Sequence, residues 1–174
     1  IIVVGALRSA TGLGQSARLC YQALTSARIP VAAIDLTRQF LAKTDVDFSF
    51  EDGSSLLGPG TLIFHVNAPL IPLAILNIHR AVLAQKRIVG YWAWELPRVP
   101  PEWKIGIPFV HEIWTPSRFV AEAVRAVAGE RPLHVIPHPL PTGRADPATR
   151  GPHDPFTALV AFNMASGFTR KNPL

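Results

Sequence analysis

Residues 1–17 read IIVVGALRSATGLGQSA, and this stretch decides the fold. The run from Ile1 to Val4 is β-branched without polar alternation, which is typical of a strand buried on both faces of a sheet. A glycine-containing loop follows, and apolar residues then recur at helical spacing, namely Ala17, Cys20, Leu24 and Ala27. A buried strand, a loop and an amphipathic helix predict the first unit of a parallel α/β sheet.

The same alternation continues along the chain. Further strands are predicted over 31–36, 61–66, 87–94, 113–114 and 133–136, with helices within 69–85 and over 103–112 and 118–127. Ser117 is the predicted N-cap of the last helix, and Gly129 is predicted to follow its end. Strands separated by helices predict a Rossmann-like parallel sheet with helices on both faces.

The composition changes near residue 140, where the chain becomes rich in proline. Seven prolines lie between 132 and 155, and proline fixes φ and removes a backbone donor. We therefore expect an α/β domain over 1–140, a Pro-rich interdomain linker over 141–155, and the start of a truncated second domain over 156–174.

Composition excludes several classes of protein. The 174 residues are 48% hydrophobic and 17% charged, which excludes a disordered chain. The single cysteine, Cys20, allows no internal disulfide and favours a reducing compartment. The net charge of +5 is scattered, which favours a solvated surface over nucleic-acid binding. The uncharged stretch 53–79 is broken by prolines and glycines, so a spanning helix is not expected, and no metal-ligand spacing is present.

The loop with Gly12, Leu13 and Gly14 is the first candidate site. Glycine lets the backbone approach a ligand, and a helix N-terminus attracts phosphate. The alternative is a tight turn without a ligand. The pattern Gly12-x-Gly14-x-x-Ala17, with Asp35 at the end of the second strand, also matches a dinucleotide fingerprint. Six residues separate Gly5 from Gly12, however, which is too long for the usual pyrophosphate turn.

Polar and aromatic residues follow the third and fourth predicted strands. His65 could donate to a hydroxyl or stabilise a developing charge, or it could be a buried histidine bonded to backbone. Asn67 could make an Asx turn before the next helix. Alternation puts Trp92 and Trp94 on one face, with Trp92 interpreted as core, while Glu95 is expected to face the cleft beyond the strands.

After the linker, Arg170 and Lys171 stand beside a proline that could begin a helix. Two adjacent cations of this kind would suit a diphosphate. The alternative is an exposed basic turn near a terminus.

Taken in order, six motifs resemble the N-terminal domain of group 1 (family 4) glycosyltransferases of the GT-B architecture. These motifs are Thr11-Gly12-Leu13-Gly14-Gln15-Ser16-Ala17-Arg18, His65-Val66-Asn67-Ala68-Pro69, Gly90-Tyr91-Trp92-Ala93-Trp94-Glu95-Leu96-Pro97, Ile113-Trp114-Thr115-Pro116-Ser117, Val135-Ile136-Pro137-His138-Pro139 and Phe168-Thr169-Arg170-Lys171-Asn172-Pro173. They run over nearly the whole chain. The resemblance implies an acceptor-side Rossmann-like domain followed by a donor-binding domain.

The resemblance also implies an activity and roles for residues. It implies retaining transfer of a sugar from a nucleotide-diphosphate sugar to a carbohydrate or lipid-linked acceptor, without a cofactor or bound metal. It places the enzyme in the cytoplasm, with peripheral contact at the inner membrane face allowed. The implied catalytic residues are His65 and Glu95, the diphosphate contacts are Gly12, Leu13, Gly14, Arg170 and Lys171, and the acceptor cleft holds Asn67, Trp94 and His138.

Two departures from the family pattern bear on the donor. The stretch 163–167 lacks an arginine that the family often has before the lysine, and His138-Pro139 replaces the usual Asn-Gly. The alternative functions are an NAD(P)-dependent oxidoreductase domain and a non-catalytic binding domain on the same scaffold. With the donor-binding acidic motif expected beyond the chain, we expect this fragment to be inactive alone.

Overall fold

The computed structural model describes residues 1–140, which form a parallel sheet with helices on both faces. Its strands are β1 (Ile2–Gly5), β2 (Ala32–Asp35), β3 (Gly60–Phe64), β4 (Lys86–Tyr91), β5 (Glu112–Thr115) and β6 (Leu133–Val135). All neighbouring strands are parallel, and their order is β2-β1-β3-β4-β5-β6. The predicted Rossmann-like α/β class is confirmed. The predicted linker over 141–155 and second domain over 156–174 lie outside the described residues.

The helices alternate with the strands along the chain. They are α1 (Gly12–Ser26), α2 (Ile71–Leu76), α3 (Arg80–Leu83) and α4 (Arg118–Ala128), with short 3₁₀ segments at Ala68–Leu70 and Pro101–Phe109. The Ser117 hydroxyl caps α4 by accepting from the Val120 N–H at 3.3 Å, and Gly129 follows with a φ of +60°. Both predicted ends of α4 are thus confirmed.

Side-chain alternation along β1 separates the two layers of the core. Ile2 and Val4 belong to the larger cluster, which also contains the apolar faces of α2 and α4. Val3 points the other way and clusters with Ala17 of α1. Because both faces of β1 are covered, its continuous apolar run needs no polar position.

Two predicted helices differ from the structure. The helix expected within 69–85 is two short helices, because α2 ends at Leu76 with Asn77 as its C-cap, and the His79 ring caps α3 by accepting from the Ala81 N–H at 3.3 Å. The helix expected over 103–112 is the 3₁₀ segment Pro101–Phe109. Its Gly106 lies so close to the chain at Ala68 that a Cβ would stand 2.5 Å from the Ala68 carbonyl oxygen.

Candidate functional site

The loop between β1 and α1 is held by a buried arginine. The Arg18 guanidinium donates to the carbonyl oxygens of Leu7 and Ser9, both at 2.7 Å, and to Gln15 Oε1 at 2.7 Å. Burial lowers the pKa of Arg18, and the Asp45 carboxylate opposes that shift. The loop therefore has a fixed shape without any ligand, because the charged guanidinium group of Arg18 donates hydrogen bonds to its carbonyl oxygens.

Gly14 serves the packing of this loop and does not present a free N–H. A Cβ there would stand 2.4 Å from the Ser9 carbonyl oxygen and 2.5 Å from that of Ala6. Its N–H already donates to the Thr11 hydroxyl at 3.2 Å, which is the N-cap bond of α1. The structure therefore offers no Gly14 N–H for the predicted diphosphate contact.

Gly12 and Leu13 are the residues of the loop that remain suited to bind an anion. They are the first two residues of α1, so their N–H groups have no partner within the helix. A Cβ at Gly12 would meet no atom within 4 Å, so the backbone there is open to an approaching molecule. The predicted anion-binding site is thus limited to the backbone N–H groups in the first half-turn of α1.

His65 lies where the connections of the sheet diverge. It follows β3 directly, and its N–H donates to the Val4 carbonyl oxygen of β1 at 2.8 Å. The chain passes from β1 to β2 on one side and returns to β3 on the other. This is the switch point at the carboxyl ends of the strands, where ligands bind in open α/β sheets.

Four side chains from distant parts of the chain meet at this point, and we call them the histidine cluster: Ser16, His65, Tyr91 and His138. The Ser16 hydroxyl lies 2.7 Å from His65 Nδ1 and 3.2 Å from His138 Nδ1. The Tyr91 ring stacks on His65 with centroids 4.6 Å apart, and its hydroxyl lies 3.2 Å from His138 Nδ1. Predicted site residues His65 and His138 are therefore brought together, through Ser16.

The hydrogen bonds of the cluster assign its tautomers. The Tyr91 hydroxyl donates its one hydrogen to the Ile136 carbonyl oxygen at 2.8 Å, because a carbonyl can only accept. Tyr91 is then an acceptor for His138, which must carry its hydrogen on Nδ1. When the Ser16 hydroxyl donates its hydrogen to His65 Nδ1, His65 carries its own hydrogen on Nε2.

Burial keeps His65 neutral and leaves one of its atoms without a partner. The residue is 2% exposed, and burial, together with His138, lowers its pKa to about 3. Burial also lowers the pKa of His138 and raises that of the Tyr91 phenol. His65 Nε2 is buried without a hydrogen-bond partner among the residues described. An unpaired buried donor of this kind costs about 1–3 kcal/mol and requires an explanation.

The loop after β4 carries the remaining predicted site residues. Asn67 Oδ1 accepts from the Ala93 N–H at 3.0 Å, instead of making the expected Asx turn. The Trp94 Nε1–H donates to the Arg98 carbonyl oxygen at 2.8 Å. Glu95 lies between these two anchors and is exposed. Asn67 and Trp94 thus fix the loop that presents Glu95, and they are not brought into contact with the histidine cluster.

The tryptophans of this region follow the predicted alternation. Trp92 is fully buried and packs edge-on against Trp103 at 5.7 Å, which confirms its interpretation as core. Trp94 packs against the same Trp103 at 5.2 Å and is partly buried. Tyr91, between strand and loop, points to the opposite face and joins the histidine cluster. Because Trp94 packs against Trp103, only part of its ring is free to stack on an acceptor sugar.

Asp35, which carries the oxidoreductase alternative, has a local partner. Its Oδ1 accepts from the Thr37 hydroxyl at 2.6 Å and from the Thr37 N–H at 3.2 Å. These are the bonds of an Asx turn at the end of β2. They engage one carboxylate oxygen, Oδ1.

Two residues of the cluster were not among the predicted site residues, namely Ser16 and Tyr91. Each is 3% exposed. The Ser16 hydroxyl lies within hydrogen-bond distance of both imidazoles, while Tyr91 stacks on His65 and places its hydroxyl against His138. The sequence carried a weak signal for both. Ser16 lies one turn into a helix that begins at a strand end, and Tyr91 alternates with the core residue Trp92.

Charge, metal and membrane features complete the description. Arg170 and Lys171 lie outside the described residues. Within 1–140, no group of three or more His, Cys, Asp or Glu side chains is arranged to hold a metal ion. No helix in that same range is long and apolar enough to cross a membrane.

Comparison with protein-family models, with curated proteins and with solved structures yields no match. The motifs quoted above and the geometry of the histidine cluster are therefore what any functional proposal must rest on.

Proposed function

We propose that this domain is the acceptor-side half of a retaining GT-B glycosyltransferase, which transfers a sugar from a nucleotide-diphosphate sugar to an acceptor. One observation carries the proposal: His65 Nε2, at the switch point of the sheet, is buried and has no hydrogen-bond partner among the described residues. A sugar hydroxyl or a developing negative charge would give that donor its missing acceptor.

In this proposal, His65 acts as a hydrogen-bond donor and does not transfer protons. Its pKa of about 3 keeps the ring neutral at physiological pH, so it has no proton to give as an acid. The Ser16 hydroxyl donates to Nδ1 and keeps the hydrogen on Nε2. A donor held in this way toward growing charge contributes roughly 10²- to 10³-fold to a rate.

The donor diphosphate would lie against the start of α1. The N–H groups of Gly12 and Leu13 and the positive end of the helix dipole favour an anion there. Arg170 and Lys171 would add positive charge as the diphosphate leaves, and the proposal needs no metal for that step. Glu95, presented by the loop that Asn67 anchors, would accept from an acceptor hydroxyl.

The remaining parts of the proposal follow from the resemblance. The acceptor is a carbohydrate or a lipid-linked carbohydrate, and the site of action is the cytoplasm or the cytoplasmic membrane surface. Nucleic acid is not a partner in this proposal, because the basic residues form no continuous run.

Nuclear magnetic resonance of the ¹⁵N-labelled chain tests the proposal directly. UDP-glucose or GDP-mannose should shift the amides of Gly12 and Leu13 and the His65 Nε2–H signal, and NADH should not. Gly12→Val should weaken this binding about tenfold and leave the fold intact, because the position faces open space. Tight NADH binding that Asp35→Asn abolishes would contradict the proposal.

A further inference from the structure

A second pocket lies at the same edge of the sheet, at the carboxyl end of β2, and we call it the β2 pocket. It is lined by Arg8, Asp35, Gln39, Phe50, Asp52 and Asn77, among others, and has a volume of about 440 Å³. That is within the range of small-molecule sites, roughly 300 to 1,000 Å³. None of these side chains belongs to the histidine cluster.

The position of the pocket relates it to the proposed reaction. Its strand β2 neighbours β1, and β1 neighbours β3, which leads to His65. Two strand spacings are about 10 Å, so a molecule in the β2 pocket lies about that distance from the switch point along the same edge of the sheet. Arg8, which lines the pocket, belongs to the same connection between β1 and α1 that leads to Gly12.

The walls of the pocket are held by a hydrogen-bonded link through Thr37, which is fully buried. The Thr37 hydroxyl donates to Asp35 Oδ1 at 2.6 Å and accepts from the Arg8 N–H at 3.1 Å. The Arg8 carbonyl oxygen accepts from the N–H groups of Asp45 and Val46 at 3.1 and 3.0 Å. The backbones that carry the Arg8 cation and the Asp35 carboxylate are therefore fixed relative to each other.

The polar groups of the pocket retain capacity for a ligand. Asp35 uses one carboxylate oxygen for Thr37, and the Asn77 amide uses one hydrogen for the Leu73 carbonyl oxygen at 2.8 Å. The exposed Gln39 amide makes no hydrogen bond with the residues described. The Arg8 guanidinium lies over the Phe50 ring, 5.5 Å from its centroid. Donors and acceptors are thus interleaved around an aromatic ring.

The charge of the pocket selects among polar ligands. One cation, Arg8, stands beside two carboxylates, Asp35 and Asp52. The Ser54 hydroxyl and N–H lower the pKa of Asp52, so that carboxylate is ionised at neutral pH. A formal charge of −1 on these three groups disfavours a phosphate or another strong anion. It suits a neutral molecule with vicinal hydroxyls, since carboxylates accept from such hydroxyls while Arg8 and the amides donate.

We infer that the β2 pocket binds a neutral hexopyranose and is the subsite for the acceptor sugar. That the bound sugar is the acceptor depends on the proposed function. That the pocket binds a sugar is argued from the pocket alone. This assignment moves the acceptor site from Asn67 and Trp94, whose Oδ1 and Nε1–H are bonded to backbone, to a pocket with several polar groups that retain capacity for hydrogen bonds. Vicinal hydroxyls also occur on the ribose of a nucleotide, so the binding of a pyranoside has to be distinguished from the binding of NADH.

The test is a titration of the ¹⁵N-labelled chain with methyl α-D-glucopyranoside, methyl α-D-mannopyranoside and, in a separate arm, NADH. At least one pyranoside should shift the amides of Asp35, Gln39 and Phe50, with no response around Lys86 on the opposite edge. NADH should leave these amides unchanged. Pyranoside shifts that are absent, or NADH shifts in their place, would overturn the inference.

Matched variants make the result specific. Gln39→Leu should weaken the pyranoside about tenfold, because it removes an exposed amide with no internal bond. Gln22→Leu makes the same change on an exposed face of α1 and should leave the affinity unchanged. Equal binding by wild type and Gln39→Leu would count against the inference. Nucleotide-sugar binding at Gly12 without pyranoside binding would refute this subsite alone, and the reverse would leave a sugar pocket without the proposed transferase.

Discussion

The two edges of the same sheet differ in how completely their polar groups are paired. Of the seven buried polar or charged residues in the described part of the chain, six lie at or near the carboxyl edge, namely Ser9, Ser16, Arg18, Thr37, His65 and Thr115. The seventh, Lys86, lies at the amino edge, where β4 begins. Burial of polar groups is thus concentrated where the strands end.

The amino edge is satisfied from within. The Lys86 ammonium donates to the carbonyl oxygens of Leu56 and Gly58 at 2.9 and 2.7 Å. Arg87 pairs with Glu112 at 2.7 Å, and the pocket on this edge, about 400 Å³, is lined mainly by apolar residues such as Leu57. At the carboxyl edge, by contrast, His65 Nε2 and Trp92 Nε1 have no hydrogen-bond partner among the described residues. Polar side chains of the amino edge are thus paired within the domain, and we expect the carboxyl edge to be the one that binds a ligand.

The largest expected effect comes from the glycine loop of the carboxyl edge. Gly14→Val should lower the free energy of unfolding by about 3 kcal/mol or prevent folding, because its Cβ would collide with two backbone carbonyls. Gly12→Ala, two residues away, should change stability by less than about 0.5 kcal/mol, since it faces open space. Urea unfolding of both variants measures the contrast. Equal stability of the two would show that the loop is not packed as described.

The second effect is a pH dependence centred on His65. Its folded pKa of about 3 lies below the ordinary value of 6.5, so the unfolded chain binds the proton more strongly. Stability is complete above pH 6.5 and falls as the pH decreases toward 3. The slope from this group approaches about 1.4 kcal/mol per pH unit, and a lowered pKa at His138 adds to it with the same sign.

Unfolding free energies of wild type and His65→Gln measure this slope. The variant should lose less stability than wild type between about pH 5.5 and 4.5, because it lacks the titrating imidazole. His134→Gln, which removes an exposed histidine, is the matched control and should follow wild type. A parallel dependence in wild type and His65→Gln would mean that His65 is not held neutral by the fold.

The smallest effect is expected at the amino edge. Lys86→Met keeps most of the aliphatic stem and removes two hydrogen bonds to carbonyls, so it should cost about 1 kcal/mol in stability. Ligand-induced shifts at Gly12 and His65 should be the same as in wild type. A loss of nucleotide-sugar binding in Lys86→Met would contradict the expectation that only the carboxyl edge takes part in ligand binding.

Local patterns predicted the fold because its elements are encoded by neighbouring residues. The β-branched run of β1, the Ser117 cap and the Gly129 end of α4 each depend on a few consecutive positions. The alternation of Trp92 with Tyr91 likewise predicted which ring is core. Where tertiary contact decides, as at Gly106 against Ala68, the sequence alone predicted a helix of the wrong type.

The candidate site was predictable only in outline. His65 and His138 could be named separately, but the serine that joins them lies 49 and 122 residues away from them in the sequence. The sequence also could not show that carbonyl oxygens occupy the space where a Gly14 side chain would lie, while the corresponding space at Gly12 is empty. Both facts depend on the space around a residue, which no local pattern records.

Arg18 gives the glycine loop a property that matters for any molecule that binds there. Its partners Leu7, Ser9 and Gln15 are all within eleven positions along the chain. The conformation of the loop is therefore determined by contacts within one short segment, and it forms together with the first helix. A ligand meets a finished surface, so the entropy of ordering the loop is lost during folding and is not subtracted from affinity.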